Sequence, residues 1–209
     1  MTDAFQIVQR RQQQWRVVGK AYDTACEVAS VVPRDSRVLD VGCGEGYVAH
    51  HLTSLLRTNV LGIDLANTTD APIEYLSYDG IRFPVNDQSF DGVLLSYVLH
   101  HAQNVHTVLS EVRRVLRDGG FAIVYEDIPQ NGWDRFLCWT HDRKWRDRTG
   151  PCTFRCEAEW SELFKKSGLE IVSEQPLSRW RDVFHPVSRR LYVLKTNGHG
   201  DYTADPNPQ

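Results

Sequence analysis

The residues best suited to chemistry stand at the ends of apolar runs. Val38-Leu39-Asp40-Val41 leads directly into Gly42-Cys43-Gly44-Glu45-Gly46, with glycine at alternate positions. Such a loop takes backbone angles that a Cβ would forbid and lets a ligand approach the main chain closely. Asp64 ends a second run, Asn59 to Ile63, at about the twenty-residue spacing expected of a ribose-binding carboxylate. Asp79-Gly80 ends a third, Ile73 to Tyr78, where a carboxylate could take the exocyclic amine of adenine. Phe90 to Tyr97 stops at Val98-Leu99-His100-His101, and Phe121 to Tyr125 stops at Glu126-Asp127. An imidazole there could act as a base near neutral pH, His101 being favoured, or could simply cap and pack the loop. Glu126 and Asp127 read either as acceptor ligand and base or as acids that stabilise a turn. Ser96 and Tyr97 suit the lining of a cofactor pocket better than reaction.

Strands must hold these groups. The runs alternate with helical periodicity, first at Val48, Leu52, Leu55 and Leu56, and again at Val105, Val108, Leu109, Val112 and Leu116, where Asn104 supplies a cap and Gly119-Gly120 a stop. That alternation predicts an α/β fold with an open, mostly parallel sheet and helices on both faces. Ligands then bind beyond the carboxyl ends of the strands. Helices are expected between Gln6 and Val31, from Trp133 to Arg148, and around Trp160, Leu163 and Phe164. Leu169 to Leu177 and Arg190 to Thr196 read as strands.

Taken together, the glycine loop, Asp64, Asp79-Gly80 and the run FDGVLLSYVLHH resemble the class I S-adenosylmethionine-dependent methyltransferases, in particular their small-molecule branch. The resemblance runs from about Arg37 to Lys195 and is best between Val38 and Gly120. It implies a Rossmann-like sheet of seven strands with an antiparallel C-terminal edge hairpin. Asp40, Gly42, Cys43, Gly44 and Gly46 would meet the methionine end of S-adenosylmethionine, Asp64 with Leu65 its ribose, and Asp79 with Gly80 its adenine. Helices before the first strand often cap the cofactor in this family. One departure is the short approach from Asp64 to Ile73, which leaves no room for the helix between the second and third strands. The implied reaction is methyl transfer to a small-molecule nucleophile. A non-catalytic cofactor-binding module is the alternative; a nicotinamide oxidoreductase is disfavoured by the glycine spacing and the antiparallel ending.

Length and charge narrow the classes further. A chain of 209 residues suits one domain, residues 1–196, with residues 1–31 as a helical cap, 128–156 as an acceptor-side insertion and 197–209 as a disordered tail. A formal net charge of -3 offers no basic field for a nucleic acid. Met1 to Arg16 lacks the apolar core of a signal peptide, so a cytoplasmic protein is expected.

The stretch from Trp133 to Arg148 combines Trp133, Phe136, Trp139 and Trp145 with basic and acidic residues. It reads as a substrate-side helix with its aromatics turned inward, Trp133 and Trp139 touching the acceptor, in preference to a membrane-surface helix. Cys138-x-x-His141 and Cys152-x-x-x-Cys156 have spacing that could ligate zinc or a soft acceptor such as trivalent arsenic. Reduced free thiols and no bound metal are the simpler expectation, the cysteine count being odd.

Overall fold

A computed structural model describes residues 18–182 and 185–196. The expected helix start near Gln6 and the tail from residue 197 lie outside the described residues. The elements, in chain order, are helix α1 (residues 18–31), β1 (Val38–Val41), α2 (Tyr47–Leu56), β2 (Val60–Asp64), β3 (Glu74–Ser77), β4 (Phe90–Ser96), α3 (Val105–Val115), β5 (Leu116–Asp127), α4 (Gly132–Thr149), α5 (Glu157–Lys166), β6 (Leu169–Leu177) and β7 (Arg189–Thr196). The seven strands form one sheet in the order β3-β2-β1-β4-β5-β7-β6. β7 runs antiparallel to both β5 and β6, and the other pairs are parallel.

Side-chain alternation along the strands sorts the core into two layers. Val93, Leu95, Ala122 and Val124 pack against Val108, Leu109 and Val112 of α3 and Trp160 and Phe164 of α5. Leu94, Ile123 and Tyr125 pack on the other face, against Ala25 and Val28 of α1 and Ala49, Leu52 and Leu56 of α2. The central strands are therefore covered on both sides, which explains their continuous apolar runs.

No helix joins β2 to β3; residues 65–73 cross without one, as the short sequence spacing implies. The crossing is fixed on the glycine loop instead, where Asp70 N–H and Ala71 N–H both donate to the Glu45 carbonyl at 3.0 Å.

Two expectations need correction. Helix α3 stops at Val115, before Gly119-Gly120, because Leu116 is drawn into the sheet opposite Phe90. The glycine pair then forms a bulge within β5, between the pairs Phe90–Leu116 and Gly92–Phe121. In α4 three of the four aromatics named above face outward: Trp133, Phe136 and Trp139 are 59%, 49% and 51% exposed. The inward stripe is Asp134, Cys138, His141 and Trp145, at helical spacing. Asp134 is held there by Ser188 and Arg179, and Asp142 by the Cys152 N–H, and these polar anchors set the rotation of the helix.

Leu94 is fully buried in a central strand, so Leu94→Ala should lower the free energy of unfolding by about 2–5 kcal/mol. Val172→Ala, at a position 49% exposed, should stay within about 0.5 kcal/mol in the same urea titration.

Candidate active site

The order reversal of the sheet falls between β1 and β4, and the glycine loop leaves β1 at that point. Gly42 N–H donates to the Ile63 carbonyl at 2.8 Å, which bends the chain off the sheet. Gly44 has φ 54°, and a Cβ built on it would meet no atom within 4 Å. Its left-handed conformation thus faces open space, as a backbone approached by a ligand requires. Asp64 steadies the loop, with one carboxylate oxygen accepting from Gly44 N–H at 2.8 Å and the other from Leu65 N–H at 2.7 Å.

Asp40 sits beneath the loop, 2% exposed, and its Oδ2 has no hydrogen-bond partner. Burial, with the nearby Asp64 charge, pushes its carboxyl up to about 8. An unpartnered buried carboxylate oxygen beside an open glycine loop suits a cationic ligand group. Asp79 is exposed and spends one oxygen on the turn, accepting from Ile81 N–H at 2.8 Å and Arg82 N–H at 2.9 Å. Gly80 follows with φ 81°, and the exposed apolar side chains of Ile81, next in the chain, and Leu65, adjacent in space, lie beside it.

Beyond the tip of β4 lies a cavity of about 620 Å³. Lys20, Ala21 and Thr24 of α1 line one side, and Ser96, Tyr97, His100, His101 and Asp127 the strand side. Helix α4 contributes His141 and Trp145, and the segment before β7 contributes His185. An ion pair from Lys20 to Asp182 ties α1 to that segment. Tyr97 takes φ 60°, unusual for a residue with a side chain, and its N–H donates to the Tyr125 carbonyl at 2.9 Å.

Glu126 and Asp127, adjacent at the end of β5, do different things. Glu126 is fully buried and accepts from Leu99 N–H at 2.8 Å and from His100 N–H at 3.3 Å. Its second oxygen lies 2.6 Å from His100 Nδ1. Burial opposes a charge on His100, but Glu126 outweighs it and holds that imidazole above its ordinary range. Asp127 pairs with Arg189 Nε at 2.9 Å and His185 Nε2 at 3.0 Å. Burial opposes its ionisation as well, yet the bond from His185 and the Arg189 charge keep its carboxyl below the usual range. Asp127 is thus an anchored anion and a poor base. His101 does line the cavity, but burial and the neighbouring His100 and His141 push its imidazole down to about 3, and its Nδ1 lies 3.2 Å from Cys152 Sγ.

Trp133 and Trp139 stay on the outer face of α4 and do not line this cavity. Trp139 instead borders a smaller cavity of about 380 Å³ with Cys138, Cys152 and Cys156. His185 is the residue sequence reasoning missed. It lies in an irregular segment with no motif, and only its pairing with Asp127 marks it.

Residues 39–124 match the family model described as a methyltransferase domain. That segment is a methyltransferase domain. The chain is 27% identical over 160 residues to the sterol 24-C-methyltransferase erg6 of Schizosaccharomyces pombe, covering 68% of this chain and 42% of that protein. It is 34% identical over 116 residues to the fatty-acid O-methyltransferase of Mycolicibacterium smegmatis, covering 48% of this chain and 42% of that one. The chain thus spans less than half the length of these curated relatives. Among solved structures, a SAM-dependent methyltransferase from Methanosarcina mazei aligns with TM-score 0.65 at 18% identity, over 81% of this chain and 96% of that one. The cyclase SpnF aligns with TM-score 0.66 at 17% identity, over 84% and 80%. Likeness at that level establishes the fold of the methyltransferase domain, and the fold alone does not fix a reaction. Among the described residues no helix is long and apolar enough to cross a membrane.

The folded domain keeps a proton on Asp40 up to about pH 8, whereas an unfolded aspartate loses it near pH 4. Between those values the folded state binds more protons, so the stability of the ligand-free protein should fall as pH rises from about 4 to 8. Asp40→Asn should flatten that slope in thermal melts taken across the window. An unchanged slope would count against the buried, protonated carboxyl.

Proposed function

We propose that the protein transfers a methyl group from S-adenosylmethionine to a small-molecule acceptor held in the cavity beyond β4. The observation that carries this reading is the unpartnered Oδ2 of buried Asp40 beside the open Gly44 backbone. Asp40 with Gly42, Cys43, Gly44 and Gly46 would hold the cofactor's amino acid end, Asp64 with Leu65 its ribose, and Asp79 with Gly80 its adenine. Ser96 and Tyr97, at the junction of loop and cavity, would separate cofactor from acceptor. Bound there, the cofactor supplies a methyl group already activated on a sulfonium. The chain's own work is to align the acceptor, exclude water and take a proton where the nucleophile carries one.

For that proton we assign His185. Its Nε2 is fixed by the Asp127 carboxylate at 3.0 Å, an arrangement that orients the ring. Asp127 would then act by positioning, and His185 would accept the proton that the nucleophile gives up on taking the methyl group the cofactor supplies. A cavity of about 620 Å³ is of the size that takes a drug-sized molecule. The relatives' names, sterol and fatty-acid methyltransferases, support a largely apolar acceptor.

Calorimetry should show micromolar binding of S-adenosylmethionine and S-adenosylhomocysteine and none of NADH. Asp64→Ala should weaken S-adenosylhomocysteine by about 1.5–3 kcal/mol through loss of charge-assisted hydrogen bonds. Binding of NADH in place of the sulfur cofactors would overturn the assignment. With an acceptor identified by screening, His185→Ala should lower kcat about 100-fold or more while leaving S-adenosylhomocysteine affinity unchanged. A wild-type kcat in that variant would remove His185 from the chemistry.

A further inference from the structure

His100, His101 and His141 come together although they are separated in sequence and lie on different elements. One ring nitrogen of each can be chosen so that all lie within 4.8 Å of one another. His100 is 1% exposed, its Nδ1 is engaged by Glu126 at 2.6 Å, and its Nε2 has no hydrogen-bond partner. His141 Nε2 is likewise buried and unpartnered. A buried imidazole whose far nitrogen meets nothing is costly unless a ligand completes it.

We propose that His100, His101 and His141 form a binding site for a divalent transition cation of the zinc type. Three imidazoles suit such a cation, and a three-histidine set leaves a further coordination position open. The Glu126 carboxylate on His100 Nδ1 is the outer-shell partner that metal-bound histidines usually have, fixing the tautomer with Nε2 as ligand. Bonds of about 2.1 Å bring ligand nitrogens to roughly 3.4 Å apart, somewhat closer than here, so loading must draw the rings together. His101 and His141 are only partly buried, which leaves them room to turn.

The loop carrying Cys152 closes one side of the cluster, with Thr153 N–H donating to the His100 carbonyl at 2.7 Å and Cys152 Sγ against His101. The cysteine-based set suggested by sequence spacing is thereby divided. His141 joins the histidines, while Cys138, Cys152 and Cys156 border the separate 380 Å³ cavity.

All three histidines line the larger cavity, so the remaining coordination position suits an oxygen of the acceptor: a hydroxyl, enol or carboxylate. That role rests on the methyl-transfer reading; binding of the cation does not.

The test is titration of metal-free protein with Co²⁺ and Zn²⁺ against a chromophoric chelator, with X-ray absorption on the zinc-loaded wild type. One equivalent should bind, with three imidazole nitrogens at about 2.0–2.1 Å. His141→Ala and His101→Ala, each checked by circular dichroism, should weaken binding at least 100-fold, and His50→Ala, outside the cluster, should not. The absorption spectrum reads the ligand set without any variant, should either histidine variant fail to fold. Absence of a tight equivalent, a sulfur-dominated spectrum, or wild-type affinity in both histidine variants would overturn the site. S-adenosylhomocysteine calorimetry on the metal-free protein keeps the two readings apart. Loss of that binding would strike the methyl-transfer reading alone, and loss of cation binding the metal site alone.

Discussion

The Glu126 carboxylate is the constraint on which the acceptor side depends. It is fully buried at the end of β5, and it gathers Leu99 N–H, His100 N–H and the His100 ring from the turn after β4. A buried carboxylate is tolerated only when its lone pairs are used, and here a single side chain fixes both the backbone of the turn and the direction of one imidazole. His101 follows in the chain, and its ring centroid lies 4.2 Å from that of His100. The residue that sets the cavity wall is thus one that does not face the cavity.

Asp127, next in sequence, extends the same logic to the other side of the sheet. Its pairs with Arg189 and His185 join the end of β5 to the start of β7, and Arg189 lies opposite Asp127 in the antiparallel ladder. Arg179 and Ser188 carry the connection to Asp134 of α4. The inserted antiparallel strand therefore does more than close the sheet: it delivers His185 to the cavity and sets the rotation of α4 that turns His141 inward. Such buried ionic links contribute little net stability, and their value is in admitting one arrangement of the parts.

The cofactor side works by the opposite device, a carboxyl group left unpaired. Burial and the nearby Asp64 charge keep a proton on Asp40 beneath the glycine loop, and its Oδ2 has no hydrogen-bond partner. Relief of that arrangement by a cationic group would convert local instability into affinity. The two halves meet at Tyr97, whose left-handed backbone joins the end of β4 to the turn held by Glu126.

The sequence by itself determined the sheet and the ligand-facing loop, because those signals are local. Continuous apolar runs mark the central strands, Asn104 does cap α3, and Gly42 and Gly44 do take positive φ where the loop leaves β1. The missing helix between β2 and β3 was legible from chain length alone. Tertiary structure decided the rest. The end of α3 moved to Val115 because Leu116 found a partner in Phe90, and Trp133, Phe136 and Trp139 of α4 turned outward because Asp134 and Asp142 found polar partners inside. The meeting of His100 and His101 with His141 and His185 depends on how β4, α4 and β7 pack, and no local pattern encodes a contact between elements so far apart in the chain.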